Sequence, residues 1–219
     1  MRHIVFVGIM LVLLTACGRS SAPAPGIGTS AVAAEPAAIR QPVSLNVPHV
    51  RQQSANWCWL AVAQMVIGYK QWGASPSQCR LLEIGFGYPQ NYCCGWQSRC
   101  DRGGTLEEIG RIVEYYSGRQ VFLGPPIEPE ELYQVLSNGD VVIARIVVPP
   151  SQGGPTAGPA GHTVVIKGIR WAQGTVSQGG QSFQAVVPMI LVNDPSQATT
   201  VEATYDELAR YWEKSIIVD

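Results

Sequence analysis

A chain of 219 residues carries six cysteines and three histidines, and few of them stand where they could do chemistry. Cys58 is the first. It opens the stretch Trp59 to Ile67, in which every residue but Gln64 is apolar. A helix that is apolar nearly all round belongs inside a core. A thiol in its first turn faces uncommitted backbone N–H groups and the positive end of the helix dipole. Asn56 or Ser54 is available to cap that turn. The dipole supplies at most ~2 kcal/mol. Bringing a thiol from its free pKa of ~8.5 to the ~3–4 of a His-paired thiolate takes roughly 6 kcal/mol. A cationic partner is therefore required, and a histidine can supply the charge and also shuttle protons. Without one, Cys58 is a buried core thiol, a common fate for cysteine.

Of the three histidines, His3 belongs to the basic head of the chain, and His49 lies on the approach to Cys58. His162 follows Gly161 and begins the run Thr163 to Ile169, a hydrophobic strand. A second apolar run, Val186 to Val192, ends in Asn193-Asp194-Pro195. A carboxylate or amide there could orient an imidazole. Successive residues of a regular strand face opposite ways, so only one of Asn193 and Asp194 can reach His162.

Gln52 lies six residues before Cys58, and Trp59 follows it. This segment resembles the active-site segment of papain-like cysteine peptidases, in which a glutamine at that spacing completes the oxyanion hole. It keeps Cys58-Trp59 but has Asn56-Trp57 before the cysteine and none three residues upstream, unlike papain itself. The resemblance is closer to the bacterial branch: double-glycine leader peptidases, staphopain-like enzymes and plant-pathogen effector proteases. It implies an α+β fold, with a helical N-terminal half around a central buried helix and an antiparallel β-sheet half behind it. It also implies roles: Cys58 as nucleophile, His162 as base, Asp194 (aspartate before proline in that branch) as the third member, and Gln52 at the oxyanion. Gly103-Gly104 resembles the papain segment whose extended backbone pairs with substrate. Here one extra residue separates Cys100 from the glycines, which could equally form a turn.

The elements that must position these residues read as follows. Residues 1–16 are a signal peptide, whose apolar stretch Ile4 to Leu14 falls short of the ~20 residues of a membrane span. Leu14-Thr15-Ala16-Cys17 resembles a bacterial lipobox, which implies lipid on Cys17 and a cell-envelope location, the outer membrane if the host is Gram-negative. Residues 17–43, rich in Ala, Pro, Ser and Gly, form a tether and not a helical inhibitory propeptide. Residues 44–219 suit one domain, expected to be a monomer. The net charge of −1, with both signs mixed along the chain, gives no sign of a nucleic-acid or polybasic membrane surface.

The central helix ends near Trp72-Gly73, and a second starts at Ser75-Pro76. Thr105 and Glu108 make a capping box for a helix over 106–116. A further helix runs from Pro129 to Leu136, and a strand from Asp140 to Val148. Residues 149–161 are a plain loop, read as a flap beside the site. Residues 171–182 form a polar connection between two strands. A short strand over 200–203, a helix over 205–212 and a strand over 215–218 follow. Cys79, Cys93, Cys94 and Cys100 could bind zinc, but a signal peptide implies an oxidising compartment, which favours disulfides. Adjacent cysteines bond each other only through a strained ring. Cys79 then pairs with one of Cys93 and Cys94, and Cys100 with the other. Cys58 remains the one free thiol.

The expected activity is hydrolysis of a peptide or protein substrate, with no metal or organic cofactor. The same triad could serve a cell-wall amidohydrolase or an acyl transferase. A catalytically retired binding module would usually have lost Cys58 or His162.

Overall fold

A computed structural model describes residues 40–71, 75–148, 160–178, 180–197 and 199–219. Cys17, residues 1–39 and most of the expected flap at 149–161 lie outside the described residues.

The apolar stretch after Cys58 forms the central helix α1 (Cys58–Lys70), with every residue from Trp59 to Ile67 buried except Gln64. Around it pack α2 (Gln78–Phe86) and α3 (Leu106–Ser117). The capping box of α3 forms as expected, with Glu108 N–H donating to Thr105 Oγ1 and Thr105 N–H to Glu108 Oε2. The start of α2 differs. Ser77, not Ser75, occupies the N-cap. Gln78 is drawn inside, where its amide bonds Arg51 O and the Gln64 side chain, and its Oε1 accepts from Gln53 N–H.

The second half is an antiparallel sheet. Its strands are β1 (Val43–Ser44), β2 (Val121–Gly124), β3 (Val141–Val148), β4 (Ala160–Gln178), β5 (Gln181–Asn193), β6 (Thr200–Thr204) and β7 (Trp212–Val218). The order is β2-β7-β3-β4-β5-β6, with β1 pairing on β4. Alternation along β3 divides the core. Val141 and Ile143 face α1, while Val142, Ala144 and Ile146 face the opposite layer with Leu132 and Leu136 of α4 (Pro129–Ser137). A strand buried on both faces reads as one apolar run, which is why this one was legible without alternation.

Three expectations need correction. The polar connection over 171–182 is instead the outer part of a long β4–β5 hairpin, paired from Val165↔Asn193 to Gln178↔Gln181. Cross-strand ladder bonds override a composition that reads as loop. The helix before β7 is short, α5 (Tyr205–Ala209), and Trp212 opens the strand. The tether's last residue, Val43, belongs to β1. No helix among the described residues is long and apolar enough to cross a membrane.

Candidate active site

Cys58 is the first residue of α1, and the segment around it is tied down by three bonds to one loop. Asn56 N–H donates to Asp101 Oδ1 at 2.9 Å, the Trp57 indole to Cys100 O at 2.9 Å and the Trp59 indole to Arg102 O at 3.0 Å. Neither Asn56 nor Ser54 caps the helix through its side chain; Trp57 holds the N-cap position. The N–H of Cys58, in the first turn, has no partner within the helix.

The loop that receives these bonds is braced by two disulfides, Cys79–Cys94 and Cys93–Cys100, which resolves the pairing left open above. Glu83, fully buried, explains how the adjacent cysteines sit: its Oε1 accepts from both Cys93 and Cys94 N–H at 3.0 Å, and Arg80 pairs with its Oε2. Burial pushes the Glu83 carboxyl up, but these donors outweigh it and hold it below its usual range. Cys58 is the one free cysteine among the described residues. The loop then delivers Gly103 and Gly104 to the cleft wall. A Cβ at Gly104 would stand 2.2 Å from the Trp59 ring, so the indole requires glycine there, whereas Gly103 has open space around it.

His162 comes from β4 and Asp194 from the end of β5. His162 Nε2 donates to Asp194 Oδ1 at 2.8 Å, leaving Nδ1 for Cys58. Asp194 Oδ1 also accepts from Ser196 N–H at 2.8 Å and Ser196 Oγ at 2.7 Å. Asn193 is buried on the other side. Its Nδ2 donates to Val47 O, and its Oδ1 accepts from Thr200 Oγ1. Asp194, not Asn193, is therefore the residue brought to His162. The approach to Cys58 straps the same turn: His49 Nε2 donates to Asp194 O at 3.0 Å and Gln52 N–H to Pro195 O at 2.9 Å.

The charges follow from these contacts. Burial pushes Asp194 up, but the bonds from His162 and Ser196 prevail and hold it at about 2. Burial pushes His162 down, yet the bonds and charges of Asp194 and Cys58 raise it to about 9. For Cys58 burial again raises the pKa, and the interactions with His162 and Thr163 more than offset it. The Thr163 hydroxyl is buried without a hydrogen bond of normal geometry, so its contact with the sulfur is a weak one. The Cys58 thiol is thus held below its ordinary range beside an imidazole held above its own.

Gln52 lines the cleft, but its carboxamide is turned inward. Nε2 donates to Ser54 O at 2.9 Å and Ala55 O at 2.7 Å, and Oε1 is buried without a partner. The cleft holds about 300 Å³ and is bounded by Gln52, Asn56, Cys58, the two glycines and His162, among others. No group of three His, Cys, Asp or Glu side chains able to hold a metal occurs among the described residues. Sequence reasoning missed Asp101, Ser196, Thr163 and the strap from His49. Only Ser196 carried a local signal, as a hydroxyl two residues after an aspartate.

A helical half carrying the cysteine and a sheet half carrying the histidine and aspartate define the class: this is the fold of the papain-like cysteine peptidase superfamily. More narrowly, the chain belongs to the Peptidase_C39 like family, whose model matches residues 44–216. A Bacillus anthracis protein assigned as a C39-like peptidase shares the fold at a TM-score of 0.53 and 14% identity, over 82% of this chain and 98% of that one. UfSP from C. elegans aligns at a TM-score of 0.45 and 12% identity, over 81% of this chain and 34% of its own. No curated protein sequence matches the chain.

Proposed function

We propose that the protein is a cysteine peptidase that hydrolyses peptide bonds through Cys58, His162 and Asp194. The observation that carries the reading is the 2.8 Å bond from His162 Nε2 to Asp194 Oδ1, with the same imidazole also bonded to Cys58, the one free cysteine among the described residues. Cys58 attacks the scissile carbonyl as a thiolate. His162 then gives its Nδ1 proton to the leaving amine, and the acyl group stays on sulfur as a thioester. A water deprotonated by His162 cleaves the thioester, and the thiolate returns. Asp194 orients the ring throughout and fixes the tautomer of the neutral imidazole once the Nδ1 proton has left.

The Cys58 backbone N–H is one oxyanion donor in this mechanism. Gln52 serves as the second by releasing Ser54 O and Ala55 O when substrate binds. Gly103 and Gly104 present the backbone to the peptide chain. The N-terminal signal and Cys17 anchor the domain by lipid in the cell envelope, so the substrate is an envelope or extracellular polypeptide.

The reading is tested with the full chain on a mixture of unstructured proteins, scoring cleavage by mass spectrometry. Cleavage lost in both Cys58→Ala and His162→Ala is expected. Cleavage that survives Cys58→Ala would overturn it. Lipidation is checked by incorporation of labelled palmitate, expected in the wild type and absent in Cys17→Ser.

A further inference from the structure

We propose that Arg145 selects substrates by binding a carboxylate close to the scissile bond, either an Asp or Glu side chain or the terminal carboxylate of the peptide. The inference rests on the peptidase reading above and adds a substrate class to it.

Arg145 lies on β3 opposite Thr163 of β4. It is two residues from Ile143, on the strand face that packs toward α1. Among the described residues lining the cleft around Cys58, it is the one Lys, Arg, Asp or Glu. One edge of its guanidinium is committed, with Nε 2.8 Å from Glu213 Oε2. The planar group also packs along Gly161, where a Cβ would come 2.8 Å from Nη2 and 3.0 Å from Cζ. Glu213 is its one ion-pair partner among the described residues, and the Glu107 carboxylate attracts it at longer range.

Gly161 immediately precedes His162. Arg145, Gly161 and His162 line the same cleft as Cys58, so the guanidinium borders the space crossed by a substrate residue next to the bond being cut. A larger residue at 161 would fill that space. Glu107, Glu213 and Lys214 line the adjoining cavity, which Arg145 also borders, but not the cleft itself. Glu213 holds Nε and leaves Nη1 and Nη2 to form the paired N–H donors that match a carboxylate. A lysine-bearing peptide meets the same charge as repulsion.

The test is kcat/KM of the full chain on peptides that differ only beside the cleaved bond, carrying Glu, Gln or Lys, each with a free or amidated C-terminus. Alkylation of Cys58 by iodoacetamide at pH 6 is followed in parallel. Glu peptides are expected to exceed Lys peptides by roughly tenfold, the scale of one charge-assisted hydrogen bond at a partly exposed site. Arg145→Glu is expected to invert that order, and Arg145→Gln to flatten it. A preference that follows the free C-terminus and not the Glu side chain, and that is lost in Arg145→Gln, identifies the terminal carboxylate as the group bound. Equal turnover of Glu, Gln and Lys peptides by the wild type, with Cys58 readily alkylated, overturns the role of Arg145 alone. An unreactive thiol and no hydrolysis overturn the peptidase reading as well.

Discussion

Two neighbouring side chains divide the work at the end of β5. Asp194 holds His162, whereas Asn193 holds the chain, bonding Val47 O and Thr200. Asp194→Asn should therefore lower turnover by about 10³–10⁴, in line with the loss of tautomer control in a comparable triad, with little change in Tm. Asn193→Ala should cost about 1–3 kcal/mol, the penalty for unpairing buried polar groups, and leave the pH profile unchanged. The profile itself follows from the charges. A raised histidine pKa means the charged form is stabilised in the folded state. That contribution is full below the ordinary 6.5 and is lost as pH rises through about 9. The ion pair, and with it kcat/KM, should hold across neutral pH and decline near pH 9; in Asp194→Asn that alkaline limb should move to lower pH. The order Cys58, His162, Asp194 was legible because each begins or ends an apolar run. The inward turn of the Gln52 amide was not, since it depends on carbonyls two and three residues away in a loop of no regular type. Gln52→Ala should lower kcat by about 10²–10³ if the amide swings to the oxyanion; a loss of Tm with kcat intact would show that it stays on Ser54 and Ala55.

At the scale of elements, helix α1 and the disulfide loop act as one support for the cleft. The indoles of Trp57 and Trp59 reach 43 residues along the chain to Cys100 O and Arg102 O. The two glycines that follow then have different tasks. Gly104→Ala places a Cβ against Trp59 and should destabilise the fold by about 1–3 kcal/mol, the range for overpacking, read as a fall in Tm. Gly103→Ala meets nothing in the free protein and should leave Tm unchanged while raising KM, because Gly103 lines the cleft. The helical half was readable from apolar periodicity and from the Thr105–Glu108 box. The hairpin of β4 and β5 was not, because its outer residues are polar and Gly-rich and only the partner strand makes them extended. For the same reason the short strands β1 and β2 escaped notice: each exists through its pairing with a strand far along the chain.

At the scale of the whole molecule, the two halves meet where the approach to Cys58 crosses the Asp194 turn, through Gln52 N–H to Pro195 O and His49 to Asp194 O. The class of fold was legible because helices and strands segregate along the chain; this crossing was not, since its partners lie 145 residues apart in the case of His49. Covalent bracing adds to it. The Cys79–Cys94 bridge spans 15 residues, and its removal as Cys79→Ser with Cys94→Ser should cost about 3 kcal/mol by loop-closure entropy, measured by denaturant unfolding. The central claim is that Cys58 is a thiolate held by His162, and the rate of its labelling by a peptidyl epoxide as a function of pH tests it most directly. The expected result is one-to-one labelling of the full chain at Cys58 at pH 5–6, lost in His162→Ala. Labelling that rises only toward the free-thiol pKa of ~8.5, and is indifferent to His162→Ala, would contradict it.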